Sequence, residues 1–92
     1  MEFLVRIDLA LPPDLATDAR ERLLEQERAR GRELRAAGVI QRIWRVPGRN
    51  ANVGIWQAPD ATALHEAISS LPFFPWMDAH VTPLALHPVE SD

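Results

Sequence analysis

The sequence predicts an α+β fold with the element order β-α-β-β-α-β, the split βαβ pattern of a ferredoxin-like sandwich. Three observations support this prediction: an alternating apolar segment at the start, a long charged helical segment after it, and a hairpin followed by a shorter helix. The length of 92 residues suits one domain. We therefore expect a single domain over residues 1–92.

The first half of the chain is expected to form one strand and one long helix. Apolar residues alternate over residues 3–9 until two consecutive prolines end the pattern. Asp14 or Thr17 is expected to cap a helix that runs to Ala37. Gly38 then supplies the left-handed residue that commonly terminates a helix.

The second half is expected to form a hairpin, a helix and a last strand. Residues 39–46 and 51–57 are rich in strand-forming side chains and flank a Pro-Gly turn. Asp60 is the expected cap of the second helix. Two prolines within residues 73–86 predict a short last strand at an edge. The apolar positions of the second helix that should be buried are Leu64, Ile68 and Leu71.

Composition excludes several classes of partner. All ten basic residues are arginine, and most lie between Arg20 and Arg45 among glutamates, so no basic stripe for nucleic acid is expected. The start of the chain lacks a basic leader, and Arg6 and Asp8 interrupt its apolar stretch, so neither a signal peptide nor a membrane span is expected. The absence of cysteine fits a reducing compartment, and we expect a cytoplasmic location.

Glu27 is the most unusual residue of the first helix. Helical spacing places it within an inward-facing apolar stripe, although an ordinary solvated glutamate is the competing interpretation. A carboxylate in that position has its proton affinity raised by burial and suits general acid–base chemistry. Gly31, one turn later, leaves room either for a ligand or for close packing of the helix on the sheet. The stripe comprises Leu23, Leu24, Gly31 and Leu34.

The hairpin brings a cation and an amide together. A four-residue turn places Arg45 opposite Asn52 and Ile43 opposite Gly54, all on one sheet face. The guanidinium suits a carboxylate and the amide can polarise a carbonyl, so the pair could hold an anionic lactone. The alternative is that Arg45 pairs with an acid and Asn52 satisfies turn backbone. Arg49, in the turn, is expected to be exposed.

No metal site is expected. The three histidines, His65, His80 and His87, have neither the spacing of metal ligands nor cysteines to support them. Phosphate loops, nucleophile elbows and dinucleotide fingerprints are also absent from the sequence.

One face of the predicted sheet has no helix to cover it. Two helices pack on the same side of a split βαβ sheet, so an apolar face is left for a partner subunit. We expect a face-to-face homodimer of the dimeric α/β barrel type.

Several short motifs follow one another over nearly the whole length of the chain. They are Trp44-Arg45, Gly48, Ala51-Asn52, Leu64-His65, Leu71-Pro72, Phe74-Pro75, Met77-Asp78 and His87-Pro88. A WR-x-x-G-x-x-AN run and an LP-x-FP run at fixed separation are the most specific. In this order, and almost without gaps, the motifs resemble the muconolactone isomerase family.

The resemblance implies a bacterial enzyme of aromatic catabolism, in the β-ketoadipate route. Such an enzyme needs no cofactor and isomerises muconolactone to 3-oxoadipate enol-lactone. Proteins of this family are ferredoxin-like dimers assembled further into decamers. By the same resemblance Glu27 is the catalytic base, Arg45 and Asn52 bind the substrate, and Arg49 is a weaker binding candidate.

Three positions depart from the family pattern and keep other functions open. Asn50, Gly54 and Gln57 stand where the family commonly has Tyr, Ser and Asp. The altered polar lining favours a related lactone or enone, in natural-product metabolism, as an alternative substrate. A non-catalytic dimeric module that binds a small acidic ligand is the alternative from another functional class.

Overall fold

The structure is a computed structural model and describes residues 1–91. Its strands are β1 (Glu2–Leu9), β2 (Ile40–Arg45), β3 (Ala51–Gln57) and β4 (Met77–Leu84). Its helices are α1 (Thr17–Ala36) and α2 (Ala61–Ser69), with 3₁₀ turns at Phe74–Trp76 and Pro88–Ser91.

The four strands form one antiparallel sheet in the order β2-β3-β1-β4. The two hairpin strands are followed by α2, which returns the chain to the far side of β1. This order and the two helices confirm the predicted α+β class and the split βαβ arrangement of a ferredoxin-like fold.

The core lies between the sheet and the helices. Alternate residues of β1 point into it, and Trp56 of β3 lies opposite Phe3 with only 1% of its surface exposed. The buried cluster comprises Phe3, Val5, Ile7, Leu34, Ile40, Trp56, Ala58, Leu64, Ile68 and Leu71. The three apolar positions predicted for α2 are all in it, but Leu71 lies beyond the end of α2, which is shorter than predicted.

The opposite sheet face has no helix over it. Leu4, which alternates with the core residues Phe3 and Val5, is 37% exposed, and Trp44, whose partner Val53 pairs with Arg6, is 47% exposed. Arg6 and Asp8 form an ion pair of 2.9 Å on the same face. The described part of the chain contains no helix long and apolar enough to cross a membrane.

The helix ends agree only in part with the sequence prediction. The expected cap of α1 was wrong: neither Asp14 nor Thr17 caps it, because the N-cap is Ala16, which has no side-chain acceptor. Gly38 has a φ of 79° as expected. In α2, Asp60 accepts a hydrogen bond of 2.8 Å from the backbone nitrogen of Ala63, so its predicted cap is confirmed.

The last strand occupies the predicted edge but is longer than expected. β4 has eight residues and pairs with β1 from Leu84 to Met77. Pro83 lies within it because an edge strand has only one neighbour, so a missing N–H can face away from the ladder.

Candidate active site

A cleft of about 650 Å³ opens between α1 and the end of the sheet where β2 and β3 meet their turn. Apolar side chains form much of its wall, and charged and amide groups point in from both sides. The lining residues are Leu9, Leu11, Arg20, Leu24, Glu27, Arg28, Ile43, Trp44, Arg45, Asn50, Ala51, Asn52 and Phe73.

Glu27 is the one carboxylate among these lining residues. Its predicted place on the inward stripe of α1 is confirmed: Leu23, Leu24 and Gly31 are partly buried with it, and Leu34 is buried. Burial raises the pKa of Glu27, and a hydrogen bond from the backbone N–H of Phe73 opposes that rise. The nitrogen lies 2.9 Å from Oε1 of Glu27. A carboxylate in this state can accept a proton more readily than a solvated one.

The hairpin register places two further candidates on the opposite wall. Arg45 pairs with Asn52 and Ile43 pairs with Gly54, as the turn length predicts. Asn52 and Gly54 lie opposite Ile7 and Val5 of the core, so this face of the hairpin is the one that faces the helices. The cleft therefore has Glu27 on its helical wall and Arg45 with Asn52 on its sheet wall.

Both hairpin candidates have unused binding capacity. Within residues 1–91, Arg45 forms no ion pair, and Oδ1 of Asn52 is buried without a hydrogen-bond partner. The alternative, that both groups serve the protein itself, is therefore not what the structure shows. A guanidinium can bind a carboxylate, and the two ends of an amide can accept from a hydroxyl or, after rotation, donate to a carbonyl.

Arg49 does not line the cleft. It is exposed in the turn, as the sequence predicts. The hydrogen bond from Arg6 is the main cause of the lowered pKa of Asp8, and the charge of Arg49 lowers it further. Since Asp8 is on the uncovered sheet face, Arg49 acts on the side away from Glu27.

Gly31 fits neither of the two interpretations considered for it. An added Cβ there would have no atom within 4 Å, so close packing on the sheet does not require glycine. Gly31 is also not among the residues that line the cleft.

Sequence reasoning missed three contributors to the cleft. Arg20 and Arg28 extend from α1 towards it, and neither differs in sequence pattern from the exposed arginines around it. Phe73 contributes a backbone N–H, which no side-chain motif could show. The Leu71-Pro72 motif before it indicates only a rigid connection, because proline restricts the backbone, and does not show where the next N–H points.

Two of the three departures from the family pattern have visible structural consequences. A Cβ at Gly54 would collide with the carbonyl oxygen of Arg42, next to the irregularity of β2 between Ile40 and Arg42. The side-chain nitrogen of Asn50 donates to the carbonyl oxygen of Leu9 at 3.3 Å. The local backbone of β2 is therefore matched to glycine in this chain.

No group of three or more His, Asp and Glu residues suited to a metal ion occurs in residues 1–91. His80 instead lies 3.2 Å from Asp78 on the edge strand, where both side chains are mostly exposed. His65 packs edge-on against Phe74, with ring centroids 6.0 Å apart.

The fold and the cleft together define a small ferredoxin-like protein with a half-buried carboxylate facing cationic and amide groups, a site suited to a small acidic molecule. A family model described as muconolactone delta-isomerase matches residues 1–90. The chain therefore belongs to the muconolactone delta-isomerase family.

Individual relatives are similar in sequence to this chain over almost its full length. The chain is 40% identical over 88 residues to the Muconolactone Delta-isomerase of Cupriavidus pinatubonensis, with 96% of each chain covered. It is 38% identical over 85 residues to that of Rhodococcus opacus, covering 92% of this chain and 91% of the relative. A crystal structure of muconolactone isomerase matches with a TM-score of 0.89 at 33% identity, covering 96% of this chain and 92% of the other.

Proposed function

We propose that the protein is a cofactor-independent isomerase that converts muconolactone to 3-oxoadipate enol-lactone in bacterial aromatic catabolism. The observation that carries this proposal is a half-buried Glu27 carboxylate that shares one cleft with the unpaired guanidinium of Arg45. The relatives named above carry the same activity in their names. As part of this proposal the reaction takes place in the cytoplasm.

The reaction moves one proton and one double bond within the lactone ring. Glu27 removes the ring proton beside the lactone oxygen, and the electrons of that C–H bond shift into a dienolate on the carbonyl oxygen. The protonated Glu27 then returns the proton to the carbon next to the carbonyl, and the double bond takes its new position. The product is thereby formed and the base regenerated without any co-reactant.

The sheet wall supplies binding and charge stabilisation in this proposal. Arg45 holds the carboxylate of the substrate, where a planar fork of donors gives a directional ion pair. The amide of Asn52 donates to the lactone carbonyl, on which negative charge develops in the dienolate. Arg49, the weaker candidate, has no role because it does not line the cleft.

The test is an assay of the purified protein on muconolactone, followed by the absorbance change of the butenolide. Glu27→Gln keeps the size and the acceptor of the side chain but removes the base, so kcat should fall by about 10³-fold. Glu25→Gln, an exposed glutamate on the same helix, is the matched control and should keep wild-type activity. Equal activity of wild type and Glu27→Gln would exclude the mechanism.

A second candidate function is the same proton transfer on a different lactone or enone. The observation that favours it is the glycine at position 54, where the family commonly has serine and where this backbone leaves no room for a Cβ. If muconolactone is not converted, a panel of substituted butenolides and cyclic enones should include a substrate whose turnover depends on Glu27. If no compound is turned over and acidic ligands bind wild type and Glu27→Gln alike, the chain is a binding module.

We also propose that the protein works as a homo-oligomer built from face-to-face dimers, with a decamer as the expected assembly. The uncovered sheet face, with Leu4 and Trp44 exposed, supports this proposal. Sedimentation at micromolar concentration tests it, and a monodisperse monomer would contradict it.

A further inference from the structure

The carboxylate of Glu27 has two oxygens in different situations. Oε1 accepts the hydrogen bond of 2.9 Å from the backbone nitrogen of Phe73, a residue 46 positions away in the chain. Within residues 1–91 no hydrogen bond reaches Oε2. One oxygen is therefore held by the protein and the other is left for a ligand in the cleft.

The N–H of Phe73 is a spare donor produced by the connection between α2 and the following 3₁₀ turn. The neighbouring amides all bond within the connection: Leu71 donates to Ile68, Phe74 to Leu71 and Trp76 to Phe73. Pro72 has no N–H. The N–H of Phe73 therefore takes no part in the backbone hydrogen bonds of this connection. It donates to Glu27 instead.

The donor is also firmly fixed. Leu71 and Phe73 are each 5% exposed, and Pro72 between them has a restricted φ. A rigid donor that reaches one oxygen limits the rotation of the carboxylate about its last side-chain bond. The orientation of Glu27 therefore depends on the chain after α2 as well as on α1.

We infer that the backbone N–H of Phe73 is a positioning group for the reaction: it holds Oε1 of Glu27 and directs Oε2 towards the substrate carbon. This inference rests on the proposed isomerase function and adds a residue that acts through the base. The same bond stabilises the ionised carboxylate, so its loss makes Glu27 harder to ionise.

The test replaces the amide of residue 73 by an ester, through incorporation of phenyllactic acid, which keeps the phenyl side chain. The same ester at position 74 is a matched control, because it removes a backbone bond of equal length, 2.9 Å to Leu71, in the same turn. Carbon-13 NMR of the Glu27 carboxyl gives its pKa in each protein. The pH profile of kcat/KM on muconolactone gives the functional readout.

The ester at residue 73 should raise the pKa of Glu27 by about one pH unit, since a hydrogen bond to a charged group is lost. The acidic limb of the kcat/KM profile should move up by the same amount, and kcat on the plateau should fall about tenfold. The ester at residue 74 should change neither. Equal shifts from both esters, or no shift from the one at residue 73, would overturn the inference.

One further variant and one combination of results separate the possible failures. Pro72→Gly keeps the N–H of Phe73, adds an N–H at residue 72 and loosens the connection, and we expect a smaller rise of the same pKa with an unchanged circular dichroism spectrum. An unchanged pKa in this variant would mean that proline does not fix the donor. If wild type does not convert muconolactone but the NMR shifts occur, the proposed substrate fails and the positioning bond stands.

Discussion

Gly54 lies in the middle of β3, where it pairs with Ile43 next to the irregular part of β2. Because a Cβ there would collide with the carbonyl of Arg42, restoring the family's serine by Gly54→Ser should destabilise the fold by about 1–3 kcal/mol. Thermal unfolding followed by circular dichroism measures this, with Gly31→Ala as control. That change adds a Cβ with no atom within 4 Å and should stabilise by about 0.5–1 kcal/mol. A Gly54→Ser protein as stable as wild type would mean that β2 shifts freely.

Glu27 should also make stability depend on pH. Below its ordinary pKa of 4.5 the side chain is protonated in both the folded and unfolded chains, but burial raises the folded value. Between the two values the folded chain binds more protons, so its free energy of unfolding decreases as pH rises through this window. Relative to wild type, Glu27→Gln should lose that decrease. Urea unfolding of both proteins at a series of pH values tests this, and parallel curves would contradict it.

Side-chain patterns predicted some of the residues that line the cleft and not others. Glu27 could be found because helical spacing alone fixes which face of α1 it occupies. Arg45 and Asn52 could be paired because turn length fixes the hairpin register. The contribution of Phe73 could not be found, since it comes from a backbone group whose position depends on how two distant segments pack.

At the scale of elements, α1 carries Glu27 but begins without a side-chain cap. Ala16 at the N-cap has an extended backbone, with φ −59° and ψ 145°, which suits a capping residue. Ala16→Ser should therefore stabilise the protein by about 1 kcal/mol. Ala10→Ser, at an exposed position outside the helices, is the control. Denaturant unfolding measures both, and equal effects of the two changes would show that capping does not contribute.

The element boundaries show what a local pattern can decide. The Asp60 cap was predictable because an aspartate directly before a helical apolar pattern is a strong local signal. The start of α1 was not, because Asp14 and Thr17 both fit the pattern and the chain uses neither. The length of β4 was underestimated because its one proline, Pro83, counts against a strand only where both edges are paired.

At the scale of the whole molecule, the uncovered sheet face carries the last prediction. Leu4 lies on that face in β1, the strand that pairs with both β3 and β4. Its side chain is 37% exposed in the single chain. Leu4→Glu places a charge where the proposed dimer would bury an apolar group, and the cost of desolvating that charge should dissociate the assembly. Sedimentation should give a lower mass for Leu4→Glu than for wild type.

The matched control is Leu86→Glu, at a position beyond β4 that is 78% exposed. It introduces the same charge away from the sheet face and should keep the wild-type mass. Circular dichroism should be unchanged in both variants, because neither leucine belongs to the buried core. An unchanged mass for Leu4→Glu would place the subunit interface on another surface. If only Leu86→Glu dissociates the assembly, the interface lies at the end of the chain.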